Sequence, residues 1–159
     1  MEMDKREMLI ISALRQNCRQ SLTDMSKETR IPISTIHERI NCYDRTLIKK
    51  HTALIDFAKL GFNTRAKVLV KVDREQRKKL QEFLKTCKNV NTLLKVNNGF
   101  DFLADMIFPH IKEMEDFVEG LEKKFRLINK EVFYVIDELK MEEFFADPSL
   151  VLLENEQDA

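Results

Sequence analysis

Ser21–Leu47, SLTDMSKETRIPISTIHERINCYDRTL, reads as two helices joined by a turn too tight to be an ordinary loop. Ser21 followed by Asp24 has capping-box spacing with Asp in place of Glu. The hydroxyl accepts from the Asp24 N–H, and the carboxylate is expected to reach back to the Ser21 N–H. The first helix therefore starts near Leu22. Pro32 disfavours helical geometry at Ile31 and has no N–H to donate, so that helix stops near Arg30 and a second begins at about Ile33. The connection of about three residues has the size of a helix-turn-helix corner.

On the second helix Ile36, Ile40, Tyr43 and Leu47 recur at helical spacing, which predicts one buried stripe. At about 100° per residue, Ser34, Glu38, Asn41 and Arg45 then point almost opposite, with His37 and Cys42 on the flanks. No large apolar side chain lies there. A short helix with small polar, amide and guanidinium groups outward suits a DNA major groove, where Asn pairs with adenine edges and Arg with guanine edges. Ser34, Thr35, His37, Glu38, Asn41 and Arg45 are the candidate base-reading residues. A solvated helix face is the plainer alternative, and the tight corner before this helix favours DNA.

Upstream, Asp4 to Asn17 places Met8, Ile11 and Leu14 at helical spacing, with Leu9 and Ile10 beside them, and supplies the first of three helices. Arg15 and Arg19 at its end, and Lys49 and Lys50 beyond the third helix, are candidates for phosphate contacts. Downstream, His51 to Asn63 alternates in character and predicts a linker strand that ends at Gly61.

From Thr64 the pattern is strand, helix, strand, strand, helix, strand. Ala66, Val68, Val70 and Val72 alternate, and Asp73 is the expected cap of a helix whose one face holds Leu80, Phe83, Leu84 and Cys87. Val90 to Val96 is a strand, Asn98-Gly99 a hairpin turn, and Phe102, Ala104, Met106 and Phe108 the inward side of the next strand. After Pro109 a helix carries Ile111, Met114, Phe117, Val118, Leu121 and Phe125, and Glu131 to Asp137 is the last strand. The order is the ferredoxin-like βαββαβ arrangement, giving an α+β chain. Two helices cover one face of such a sheet. The other is expected to show Leu69, Leu93, Leu103, Ile107, Phe133 and Val135, more apolar surface than the few hundred Å² a monomer usually exposes. A second copy is the expected cover, making a homodimer, with a tetramer or octamer left as open alternatives.

The predicted divisions are residues 1–50 for DNA binding, 51–63 for the linker strand, 64–140 for the ferredoxin-like dimerisation unit, and 141–159 for an acidic tail. The 159 residues balance at zero formal charge, but unevenly. Met1–His51 and Thr52–Lys140 each carry a net +3, whereas Met141–Ala159 has no Lys or Arg and a net −6. A mildly basic body with an acidic tail suits double-stranded DNA as partner. Cys18, Cys42 and Cys87 are odd in number and far apart, reading as free thiols of a reducing cytoplasm without disulfide, metal or cofactor. Neither a signal peptide nor a membrane-spanning run is legible, so a cytoplasmic chain with no membrane partner is expected.

Three stretches in this order, IISALRQNCRQSLTDMSKETRIPISTIHERI, KKHTALIDFAKLGF and VNNGFDFL, resemble the Lrp/AsnC (leucine- and asparagine-responsive) transcriptional regulators. The resemblance runs from about Glu7 to about Leu139. Pro32 stands where the family commonly caps the second helix with Ser, and the Gly usual after that helix is missing. It implies a sequence-specific regulator whose linker strands pair between subunits and whose sheets meet face to face. It also implies an amino-acid effector at the hairpin, here Asn97, Asn98, Gly99 and Asp101, where Gly99 allows close approach and Asp101 is free to accept from an α-amino group. Two alternatives are a non-specific architectural DNA-binding protein and an enzyme like the siroheme decarboxylases that resemble this family. Those place a histidine at the hairpin, whereas His37, His51 and His110 are scattered here, with no nucleophile motif or phosphate loop.

Overall fold

Helix α1 (Lys5–Gln16) begins at a reciprocal cap: the Glu7 N–H donates to the Asp4 carboxylate at 2.8 Å and the Asp4 N–H to Glu7 at 3.2 Å. Helix α2 (Leu22–Thr29) starts at Ser21 as expected, and the Asp24 N–H donates to its hydroxyl at 3.1 Å. The return bond differs from the expectation. Asp24, one methylene shorter than Glu, accepts from the Ser21 hydroxyl at 2.7 Å rather than from the backbone. The corner is Arg30-Ile31-Pro32: Arg30 turns left-handed at φ 59°, the Ser26 hydroxyl donates to the Ile31 carbonyl at 2.6 Å, and Pro32 opens α3 (Ile33–Thr46). The computed structural model describes residues 3–149.

Behind α3, Ile36 and Tyr43 pack with Ile10, Ala13, Met25 and Ile31. Leu47 lies just past the helix end and is 40% exposed, so it does not extend the buried stripe. Burial pushes the Tyr43 phenol up to about 12, helped by the nearby Glu7 carboxylate. Its hydroxyl has no hydrogen-bond partner among the described residues. Among the described residues, the unit formed by these helices runs to Ala53 and also takes in Leu139 to Ser149; Leu54–Glu138 forms the other. That return was not legible in the sequence, where residues from 141 onward read only as an acidic tail.

No ladder forms between His51 and Asn63 among the described residues; the segment holds only a 3-10 turn, Phe57–Leu60, closed by Gly61 at φ 88°. The strand expected here pairs with its counterpart on a second subunit, and a single chain places no strand beside its amides; within it, Phe57–Leu60 is a 3-10 turn rather than extended. The second unit is then β1 (Thr64–Lys71), α4 (Arg77–Thr86), β2 (Val90–Lys95), β3 (Phe102–Phe108), α5 (Ile111–Phe125) and β4 (Asn129–Tyr134). Its antiparallel sheet has the order β2-β3-β1-β4 expected of the ferredoxin-like arrangement. Asp73 does not cap α4; its carbonyl accepts from Gln76 in a turn, which delays the helix to Arg77. On α5, Met114, Val118, Leu121 and Phe125 are buried, but Ile111 at the first turn is exposed. Strand β4 begins and ends earlier than predicted, and Ile136 stands fully in solvent.

Strand parity divides the sheet. Ala66, Val68, Val70, Ala104 and Met106 face α4 and α5 and are wholly buried with Leu80, Leu84 and Met114. Their neighbours Arg65, Lys67, Leu69, Leu103, Asp105, Ile107, Phe133 and Val135 share the open face through their cross-strand pairing. One expected member is wrong. A bulge between Val90 and Thr92 shifts the parity of β2, so Leu93 pairs with Ala104 and packs on the core, whereas Leu94 pairs with Leu103 and is exposed. A one-residue insertion exchanges every later side chain between faces.

At the centre of the open face Asp105 is nearly enclosed by its own donors. Arg65 grips it through Nε at 2.9 Å and Nη2 at 2.8 Å, Lys67 at 3.0 Å and Asn91 at 3.0 Å. Burial alone would raise the carboxyl, but the hydrogen bonds from Arg65, Asn91 and Lys67 outweigh it and hold the pKa at about 2. A carboxyl lowered on folding stabilises the fold above its unfolded value and loses that contribution as pH falls through the folded one. Asp105→Asn should thus cost about 1–3 kcal/mol at neutral pH. Urea unfolding of both forms should show a constant gap above pH ~5 that narrows toward pH 2; a gap insensitive to acid would exclude the ionic account.

Candidate nucleic-acid interface

Three helices place α3 so that one face is held and the other free. Ile36 and Tyr43 anchor it, and Arg39 pairs with Glu7 of α1 at 2.9 Å. Ser34, His37, Glu38, Asn41, Cys42 and Arg45 are all exposed, while Thr35 is half-buried. His37, Glu38, Asn41, Cys42, Arg45 and Thr46 line a shallow open groove along this face. The Asn41 amide sits 3.3 Å from the His37 ring, one turn back, so the two are presented as a pair. Every candidate base-reading residue thus lies on one helix. Lys49 and Lys50 follow its end and are exposed, and His51 folds back to Asp44 at 2.8 Å.

The phosphate candidates on α1 and after it differ from one another. Arg19 is exposed in the loop before α2. Arg15 instead donates to the returning C-terminal segment, to the carbonyls of Phe144 at 3.0 Å and Glu142 at 2.5 Å and to the Glu142 carboxylate at 3.0 Å. Nothing in the sequence pattern joined residues so distant, although Phe145, half-buried here, was a signal of packing in an otherwise acidic stretch; Phe144 beside it is exposed.

The hairpin of the second unit forms as predicted, with Asn98 at φ 59° and Gly99 at φ 93°. Asn97, Asn98 and Gly99 are exposed, but Asp101 is buried and already engaged. Its carboxylate accepts from the Val72 N–H at 3.0 Å and forms an ion pair with Arg77 Nε at 2.7 Å, which leaves it a brace between β1, α4 and the hairpin rather than an acceptor waiting for an ammonium group.

With that geometry in place, the comparisons with known proteins agree. Residues 3–41 match the winged helix-turn-helix DNA-binding family model. The chain is 29% identical over 119 residues to the HTH-type transcriptional regulator FL11 of Pyrococcus horikoshii, covering 74% of this chain and 77% of that one. Its fold is that of the Lrp/AsnC regulators. LrpC of B. subtilis superposes with a TM-score of 0.79 at 17% identity, over 89% of this chain and 99% of that one. The transcriptional regulator NMB0573 of Neisseria meningitidis, solved as a complex with L-Met, has a TM-score of 0.80 at 17% identity, over 88% and 94%. The resemblance legible in the sequence therefore holds at the level of the fold. No helix among the described residues is long and apolar enough to cross a membrane.

If Asp101 is a brace, its loss should be felt without any ligand. Asp101→Asn is expected to destabilise the second unit by about 1–3 kcal/mol and to raise hydrogen exchange at Val72. Unchanged exchange and an unchanged urea midpoint would contradict this role.

Proposed function

We propose that this chain is a sequence-specific DNA-binding transcriptional regulator of the Lrp/AsnC type. The observation that carries the reading is the outward face of α3: six polar or thiol side chains on a helix anchored from behind by Ile36 and Tyr43. A major groove admits such a helix, and the first helix of the motif then crosses the sugar–phosphate backbone. In this reading Asn41 and Arg45 read base edges, with Ser34, Thr35, His37 and Glu38 beside them. Lys49, Lys50 and Arg19 neutralise phosphates.

The same structure supports a reading of the partner surfaces. We assign the open sheet face to a second copy of the chain, supported by Phe133 at 54% exposure and Leu94 at 51% beside Leu69, Leu103 and Val135. A two-fold pair presents two α3 helices to two half-sites. Modulation by an amino acid is supported by the L-Met complex of the Neisseria regulator. At the hairpin any such contact falls to Asn97, Asn98 and the backbone at Gly99, because Asp101 is occupied. The named relatives being regulators favours a non-enzymatic role.

Two measurements test these assignments. Arg45→Ala should change site preference and cost about 1–3 kcal/mol on the preferred sequence, whereas Lys50→Ala should weaken all sequences alike and flatten the salt slope. Equal losses on every sequence for both variants would refute the division of roles, and genome-wide mapping of bound sites with and without amino acids identifies targets and effector. Analytical ultracentrifugation should show a dimer at micromolar concentration, and Phe133→Asp should shift it toward monomer by placing an unpaired charge in an apolar contact. A clean monomer of the unaltered chain would remove the sheet-to-sheet assignment.

A further inference from the structure

The segment that returns to the helical unit is held by three side chains of α1 at i, i+3 and i+4: Ser12, Arg15 and Gln16. The Ser12 hydroxyl donates to the Ala146 carbonyl at 3.2 Å and the Gln16 amide to the same oxygen at 2.7 Å. Ser12 is fully buried and Ala146 nearly so, which makes this the anchored part of the contact. Arg15 forms the other part, with its side chain 35% exposed and that of Glu142 58% exposed. An ion pair so open to water contributes little stability and exchanges readily. The segment is not in a relaxed shape, since Glu142 and Phe145 sit at φ 53° and 64° without being glycine.

Arg15 thus meets one carboxylate oxygen and two carbonyl oxygens, an oxygen-rich shell of the kind a phosphate provides to a guanidinium. It lies on the last turn of α1, just before the loop that carries Arg19 and leads to the Ser21 cap of α2. When α3 occupies a major groove, α2 crosses the backbone, so this end of the motif is beside phosphates. We propose that the C-terminal segment Glu142–Ala146 is an intramolecular competitor of the DNA backbone for Arg15. Anchored at Ala146 and latched at Glu142, it keeps this cation out of the phosphate set until DNA displaces the latch. The proposal rests on the DNA-binding reading above and adds a regulatory element to it.

The test uses a random-sequence duplex titrated over a range of salt concentrations, with the full chain, a chain ending at Lys140, and Arg15→Gln in each. Ending at Lys140 should tighten binding about three- to eightfold at 0.1 M salt and steepen the salt slope by about 0.9 for each Arg15 released. Arg15→Gln should weaken the full chain less than the shorter one, where it should abolish the gain. Glu142→Gln, which keeps the Ala146 anchor, should give part of the gain in the full chain and covers the case in which the shorter chain does not fold. Unchanged or weaker binding by both the shorter chain and Glu142→Gln would overturn the proposal, as would an equal loss from Arg15→Gln in both lengths. Failure of every form to bind DNA would instead overturn the functional reading on which it rests, a distinct outcome.

Discussion

Every residue of a strand that points into the core forces its neighbours out of it, and the sheet of this protein is governed by that parity. Burying Ala66, Val68 and Val70 against α4 and α5 commits Arg65, Lys67 and Leu69 to the opposite face. Two helices are too few to cover both sides. The open face is therefore a mixture: apolar edges at Leu94, Leu103 and Phe133, and at its centre Asp105 with its donors. A carboxylate placed there is tolerated because Arg65, Lys67 and Asn91 satisfy it within the chain. In the dimer proposed above, a partner copy would meet a surface whose polar centre is already neutralised locally, leaving the apolar rim to drive association.

The helical unit solves the converse problem. Its three helices have little material with which to make a core, so Ile36 and Tyr43 are used to hold α3 while its far side stays polar. The turn that makes this possible is overdetermined. Pro32 ends one helix and begins the next, Arg30 adopts the left-handed conformation, and Ser26 satisfies the Ile31 carbonyl. Such a corner fixes the direction of α3 relative to α2, which is the requirement for placing a reading helix in a groove. The return of the chain over Glu142 to Ala146 gives this unit a fourth contribution, one that meets α1.

Local rules carried the sequence reading far. Ser21, Pro32 and the spacing of Ile36, Ile40 and Tyr43 located α2 and α3, and Asn98-Gly99 located the hairpin, because caps, prolines and left-handed positions act over a few residues. The same rules failed where a local signal met a competing partner. Asp73 was read as a cap, yet its turn with Gln76 came first. Leu93 was assigned outward by counting in twos, which a bulge in β2 upset. His51–Asn63 is a different case: the strand expected there pairs with a second subunit, and a single chain supplies no neighbour for it.

By itself, then, the sequence determined the order of elements, the two-part organisation and the polar face of α3, since each follows from periodicity within a single segment. Only the tertiary structure decided which groups are already spent. Asp101 turned out to be a brace on Val72 and Arg77, Asp105 the hub of the open sheet face, and Arg15 the holder of a segment more than a hundred residues away. The physical reason is common to all three: a charged side chain advertises its chemistry in the sequence, but whether it remains available depends on which oxygen or guanidinium the fold brings within about 3 Å of it.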